Sequence, residues 1–359
     1  MATSPRKSER VDEITPRSAG IAQGDKGDEV ERLQKYLARF GYFDSGVHAR
    51  FGMRPVGVEP PPSALGTFED RTEGALRRFQ SVNHLPVTGR LDESTLALMK
   101  KPRCGCPDNG QVVGQTAGLG QFVVQGNKWT TNALRYGFVE FSSDLTQAEI
   151  RSAISTAFSY WAAVTPLTFT EVANAANPEM RIRFVTGDHD DGSPFDGAGG
   201  VLAHCFYPPP NGGDIAGDAH FDDAENWSVN LPPSGIDLIT IAAHEFGHGL
   251  GLAHSTVGDA LMYPYYGGPH RFLHQDDIDG IQSIYGAEQW FYNKLVQLCF
   301  ATYHSKNAWA YIQDVGWRKI RPQNTDGTTN MFIGACEARC NNVPTSVLVK
   351  DSNIEQMYV

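Results

Sequence analysis

The residues best placed to do chemistry lie in twelve consecutive positions, HEFGHGLGLAHS at 244–255. The run ITIAAHEFGHGLG is apolar and reads as a helix that breaks at Gly251. His244 and His248, four apart, share one helix face and can address one metal ion. Glu245 is rotated off that pair but stays near it, which suits a base for a reacting water rather than a ligand. Gly251 has no Cβ, so the chain can leave the helix through a conformation other residues avoid and return His254 as a third ligand. Three neutral imidazoles leave one tetrahedral position open, the mark of a catalytic zinc. Glu245 would then take the proton of the attacking water and pass it to the leaving amine.

A second constellation is independent of the first. GDHDDGSPFDGAGGVLAHCFYPP and GDAHFDDAENW contain His189, Asp191, His204 and His220. Three imidazoles and one carboxylate fill a tetrahedral zinc site completely, which is structural chemistry. Asp196, Asp222 and Glu225 are hard oxygen donors beside glycine-rich backbone. That suits calcium, with the carbonyls of Gly197, Gly199 and Val201 completing the shell. Cys205 follows His204 directly; on a strand it points to the opposite face and is expected to be a packed thiol.

Around these groups the chain divides by pattern. Residues 1–21 (MATSPRKSERVDEITPRSAG and the residue after) are polar, lack the apolar core of a signal peptide, and are expected to be a disordered tail. Residues 22–100 form a small all-α domain. Val30, Leu33 and Leu37 share one helix face, and Ala75, Leu76 and Phe79 another; a last helix carries Leu96 and Met99 inward behind an Asp92 N-cap. Residues 101–121 comprise a cysteine-containing segment and a linker rich in Gly and Gln. Residues 122–287 mix strands such as LRYGFVEFS and RIRFVTG with the helix TQAEIRSAISTAFSYWAAV, the HEFGH helix and a short helix at HQDDIDGIQSIYG. Residues 288–359 read as a small β domain. There Trp309, Tyr311 and Trp317 are expected mainly as core, with a sugar- or protein-binding surface as the alternative.

Composition bounds the function. The chain has 359 residues, 41% hydrophobic and 20% charged, with a net charge of −11. It reads as soluble and globular, and the negative charge argues against nucleic acid as a partner. No run is long and apolar enough to span a bilayer. Six cysteines, Cys104, Cys106, Cys205, Cys299, Cys336 and Cys340, are too scattered to imply a disulfide framework, and the redox compartment stays open.

AAHEFGHGLGLAHS followed by ALMYPYY resembles the metzincin metalloproteases, specifically the matrix metalloproteinases. GDKGDEVERLQKYLARFGYF…ALGTFEDRTEGALRRFQSVNHLPVTGRLDESTLALM resembles the peptidoglycan-binding-like helical module. The resemblance implies His244, His248 and His254 on a catalytic zinc, Glu245 as acid/base, Met262 as the Met-turn residue and Pro264 and Tyr266 as pocket wall. It also implies a second zinc at His189, Asp191, His204 and His220. The implied fold is an α/β (α+β) catalytic domain, a twisted, mostly parallel sheet with three helices. PRCGCPD at 102–108 resembles the family's cysteine switch, PRCGxPD. Cys104 could fill the open zinc position, with Arg103 and Asp108 paired to hold the loop, so the chain would be made as a latent zymogen. Cys106 stands where the family has an aliphatic residue, which leaves open which thiol binds; position in the motif favours Cys104. On activation Asp276 would pair with a new terminal amine at Phe122. The expectation is a monomeric, extracellular zinc endopeptidase acting on proteins or peptides, with cell-wall or matrix glycan as a further partner. The rivals are a non-catalytic cell-wall-binding protein and a peptidoglycan-directed hydrolase.

Overall fold

The computed structural model describes residues 11–47, 51, 58–108, 127–210, 213–230, 234–286, 288–301, 308–320, 325–350 and 353–358. The linker from 109 to 121 and Phe122 lie outside them. The chain divides into two units, one of residues 1–160 with 169–284, the other of 161–168 with 285–359.

In the first unit, the N-terminal helices are α1 (Val11–Ile14), α2 (Asp28–Arg39), α3 (Asp70–Val82) and α4 (Glu93–Met99). Acidic residues Asp28, Glu29 and Glu31 open α2 at the positive end of its dipole, and Arg39 closes it. Its apolar stripe (Val30, Leu33, Tyr36, Leu37) is buried, as are Ala75, Leu76 and Phe79 of α3. Asp92 caps α4 by accepting from the Thr95 N–H at 2.9 Å. The expected tail 1–21 needs correction over its described part. Ile14 and Ile21 join the buried cluster of the helical domain, and Ile21 bridges to Leu91. Two isoleucines in a polar run are enough to tie that segment down.

Residues 133–222 contribute five strands to one sheet, β2 (Ala133–Phe138), β3 (Thr168–Glu171), β4 (Met180–Val185), β5 (Val201–Cys205) and β6 (Ala219–Asp222). Its sixth strand, β1 (Arg103–Cys104), comes from the cysteine segment. The order is β1-β5-β6-β4-β2-β3. The pairs β1–β5, β2–β4 and β4–β6 are parallel and β5–β6 is antiparallel, in keeping with a mostly parallel sheet. The short strands β7 (Trp227–Ser228) and β8 (Ile236–Asp237) pair in parallel, and the three expected helices are α5 (Gln147–Ala162), α6 (Leu238–Gly249) and α7 (Gln275–Tyr285). One hydrophobic cluster joins the N-terminal helices to Val185, Phe195, Val201 and Tyr265.

In the second unit, β9 (Glu288–Lys294), β10 (Val296–Ala301), β11 (Ala308–Ile312) and β12 (Gly316–Ile320) precede α8 (Thr325–Asn341), β13 (Thr345–Lys350) and β14 (Asn353–Tyr358). The sheet order is β10-β11-β12-β14-β13-β9. The expected β domain therefore also holds a helix. Its sequence, rich in Thr and Gly, hides the apolar positions Met331, Ala335 and Ala338 that pack on the sheet. Trp317 is 43% exposed rather than core, with Tyr311 edge-on to it at 5.6 Å.

Candidate metal centres and active site

Helix α6 is buried along its whole length and starts at Asp237, which accepts from the Thr240 N–H at 3.1 Å. It can lie this deep because Gly249 carries no side chain: a Cβ there would sit 2.7 Å from Met180 Cε and 3.0 Å from Cys205 Sγ. The chain then turns at Gly251, whose φ of +106° is left-handed and whose Cβ position lies 2.5 Å from the Asn127 carbonyl. That turn returns His254 to His244 and His248, with ring centroids 4.7 to 5.4 Å apart.

Each imidazole is held through Nδ1. His244 donates to the Leu261 carbonyl at 2.7 Å and His248 to that of Leu252 at 2.7 Å, while His254 faces Asp108 Oδ1 at 2.9 Å. Tyr207 Oη lies 3.2 Å from His248 Nδ1. This leaves the Nε2 atoms for a ligand. Those of His244 and His254 are buried with no protein partner. Burial pushes the His244 imidazole down to about 3 and that of His248 well below its usual range. Burial lowers His254 too, against the pull of Asp108. Neutral rings with converging lone pairs are what a zinc ion requires, so the residues fit that ion.

Cys104 supplies the fourth donor. Its sulfur and the three imidazoles have ligand atoms all within 4.8 Å of one another. Sγ lies 3.5 Å from His248 Nε2 and 3.6 Å from Glu245 Oε2. Cys106 groups with Cys104, Glu245 and His248 but not with His244 or His254. Burial pushes the Glu245 carboxyl well above its usual range, and the adjacent Cys104 adds to the shift.

The segment carrying Cys104 is clamped from both sides. It runs parallel to β5, and on its other edge the Cys104 N–H donates to the Pro264 carbonyl and the Tyr266 N–H to the Pro102 carbonyl, each at 2.9 Å. Arg103 and Asp108 form a buried bidentate pair, with contacts of 2.5 and 3.2 Å. The guanidinium lies 3.8 Å over the Phe40 ring and bonds Tyr265 Oη, and Tyr42 Oη donates to Asp108 at 2.8 Å. Beside the cysteine a cavity of about 310 Å³ is lined by His244, Glu245, Leu261, Pro264 and Tyr266.

Met262 is buried. The Asp277 carboxylate accepts from the Leu261 and Met262 N–H groups at 2.8 and 3.0 Å, and so fixes the carbonyl that orients His244. Sequence reasoning missed Asp277, Tyr207 and the Asp108–His254 contact. Asp276, expected to meet a terminal amine, accepts from Ser255 Oγ at 2.6 Å, and Phe122 is outside the described residues.

At the second constellation, Asp191 Oδ2 lies 2.8 Å from His189 Nε2, 2.7 Å from His204 Nε2 and 2.8 Å from His220 Nδ1. Burial pushes His204 down to about 4, and the three rings hold Asp191 far below the carboxylate range. The residues expected for calcium lie close by. Asp196, Asp222 and Glu225 accept from the N–H groups of Val201, Gly197 and Gly199 at 2.8, 3.1 and 2.7 Å. Those residues thus meet the acids through N–H groups, where carbonyls had been expected to join the shell. The three acids do not form a cluster of ligand atoms within 4.8 Å among the described residues. Burial lifts Asp196 to about 6 and Glu225 to about 7. Cys205 is buried and outside both sets.

A histidine helix, a left-handed turn and a segment with a buried methionine make up this site. Residues 128–286 match the family described as "Matrixin", and residues 26–99 match the family described as "Putative peptidoglycan binding domain". The chain is 46% identical over 270 residues to matrix metalloproteinase-18 of Xenopus laevis, covering 73% of this chain and 52% of that protein. It is 48% identical over 218 residues to interstitial collagenase of Bos taurus (60% and 43%) and 47% over 193 residues to karilysin of Tannerella forsythia (54% and 40%). It thus spans about half the length, or less, of these relatives. Among the described residues no helix is long and apolar enough to cross a membrane.

Proposed function

We propose that the chain is a zinc endopeptidase that hydrolyses peptide bonds in proteins and is held latent by its own Cys104. The observation that carries this reading is the meeting of Cys104 Sγ with the three Nδ1-anchored imidazoles beside Glu245. Zinc held by His244, His248 and His254 would supply a Lewis acid for the peptide carbonyl and acidify the attacking water. Glu245 takes the proton of that water and hands it to the leaving amine nitrogen. Pro264 and Tyr266 wall the pocket beside the scissile bond. In the latent form the Cys104 sulfur takes the place of the water, and the Arg103–Asp108 pair locks its segment between β5 and residues 264–266.

His189, Asp191, His204 and His220 are read as a second, structural zinc site. Asp196, Asp222 and Glu225, with carbonyls of Gly197, Gly199 and Val201, are read as a calcium site that needs a local turn of the loop backbone. We read the chain as a monomer working outside the cell, with the helical domain 22–100 serving as pro-domain. A peptidoglycan-directed hydrolase is the second reading, favoured by the match of residues 26–99.

The test is cleavage of a quenched-fluorescent peptide library by the full chain, before and after limited proteolysis between residues 108 and 127. A zinc chelator and Glu245→Gln serve as controls. Chelator-sensitive cleavage that appears only after nicking and vanishes in Glu245→Gln is expected. A nicked, zinc-loaded chain that leaves peptides intact and releases muropeptides from cell walls would sink the protein-substrate reading.

A further inference from the structure

Cys106 does no work in the latent arrangement described above, yet it is fully buried at its centre. Its backbone N–H points at Cys104 Sγ at 3.3 Å, and its own sulfur lies with the Cys104 sulfur, a Glu245 carboxylate oxygen and a His248 ring nitrogen in one group of ligand atoms within 4.8 Å. The chain bends at 105 and 106, and the side chains of Cys104 and Cys106, two apart, lie on the same side, as alternation along an extended chain dictates. Gly105 makes the bend possible against β5, since a Cβ there would meet Val201 Cγ1 at 2.6 Å. We propose that Cys104 and Cys106 are a peroxide-sensitive thiol pair, which closes to an intramolecular disulfide and releases the latent enzyme without cleavage of the chain. The inference rests on the latency reading above.

The chemistry balances with a hydroperoxide as oxidant. The Cys104 sulfur attacks the peroxide O–O bond, giving a sulfenic acid and one water. The Cys106 thiol then attacks that sulfur, the S–O bond breaks, the S–S bond forms, and the thiol proton leaves with the hydroxyl as a second water. Cys104 lines the 310 Å³ cavity, so hydrogen peroxide can reach it. Cys106 lies deeper, with its sulfur against the Cys205 carbonyl at 3.3 Å, and serves as the resolving thiol. A sulfur in a disulfide is no longer an anionic ligand, so it frees the fourth position for water. The ring closed by residues two apart is small and strained, which makes the bond easily reduced and the release reversible.

The experiment uses the full-length, zinc-loaded chain, treated with equimolar hydrogen peroxide and then alkylated. Mass spectrometry of the peptide spanning 102–108 should show loss of two hydrogens with neither cysteine alkylated, reversed by dithiothreitol. A cobalt-substituted sample should lose its thiolate-to-metal absorption band in parallel, and peptide cleavage should rise at least tenfold with the chain still intact. Cys106→Ala, and Cys106→Ser if the first fails to fold, should keep the latent band and form no reversible bond. An alkylatable Cys106 after release, or a Cys106–Cys205 link, would overturn the proposal. Cys104→Ala separates the two ideas. Silence of that full-length variant, with zinc bound, removes the latency reading and the release with it. Activity there, with only sulfinic acid in the oxidised wild type, removes the pair alone.

Discussion

Asp108 joins two groups of the site, the Arg103 guanidinium at 2.5 Å and His254 Nδ1 at 2.9 Å. Those partners hold its carboxyl well below the usual carboxylate range against the cost of burial. Asp108→Asn should leave Arg103 charged and unmatched in a dry setting, at a cost of about 3–5 kcal/mol to the intact chain. The expected result is a lower melting temperature for the full-length protein and leakage of peptidase activity before nicking, with the nicked enzyme unchanged. Equal melting and equal latency would show the pair to be idle. Glu245→Gln should lower kcat by about 10² to 10⁴ with zinc content unchanged, read by turnover and metal analysis together. At this scale much was legible. His244 and His248 follow from helical spacing alone, and His254 from a glycine that permits one turn. Asp277 and Tyr207 were not legible, because they reach the histidines through tertiary packing that carries no local pattern.

Two elements set the limits of the site. Helix α6 tolerates no side chain at Gly249, where both nearest neighbours are buried in the sheet and one is Cys205 Sγ at 3.0 Å. Gly249→Ala should destabilise the protein by about 1–3 kcal/mol despite the better helix propensity of alanine, as measured by thermal or denaturant unfolding. A stabilised variant would mean that Met180 moves aside freely. The acids Asp196, Asp222 and Glu225 should show a pH signature. The folded-state values, about 6 for Asp196 and about 7 for Glu225, lie above those of an unfolded chain, about 4. In the calcium-free protein their contribution is therefore complete below pH ~4 and is lost as pH rises through 6 and 7. On the proposed reading calcium would bind the ionised acids, so its stabilisation should be larger at pH 7.5 than at pH 5, in melts at fixed zinc. A calcium shift independent of pH would count against these ligands. Asp218, also lifted to about 6 by burial, adds a slope of the same sign that calcium leaves untouched. The strands around the site were legible through their apolar alternation, whereas α8 was not. Its buried alanines, Ala335 and Ala338, are too small to stand out among threonines and glycines.

The helical domain and the catalytic segment share one hydrophobic cluster, so release of residues before 122 uncovers Val185, Phe195, Val201 and Tyr265. The nicked chain with its pro-domain removed should melt below the intact chain and bind a hydrophobic dye more strongly, and equal values would show that the shared cluster adds no stability. The whole-molecule division was legible only in part, since nothing in the residues around Ile14 announces that they belong to this cluster. The sheet also loses a member on release, for β1 is its edge strand and pairs with β5. What remains is a row of unsatisfied backbone donors and acceptors along β5, facing residues 264–266 across the gap that Arg103 and Cys104 filled. Only a chain drawn out to full stretch can satisfy both rims at once. The enzyme would thus choose where to cut by the looseness of its target: hinges, frayed ends and unfolded tracts are cleaved, and a helix passes untouched until something else unwinds it.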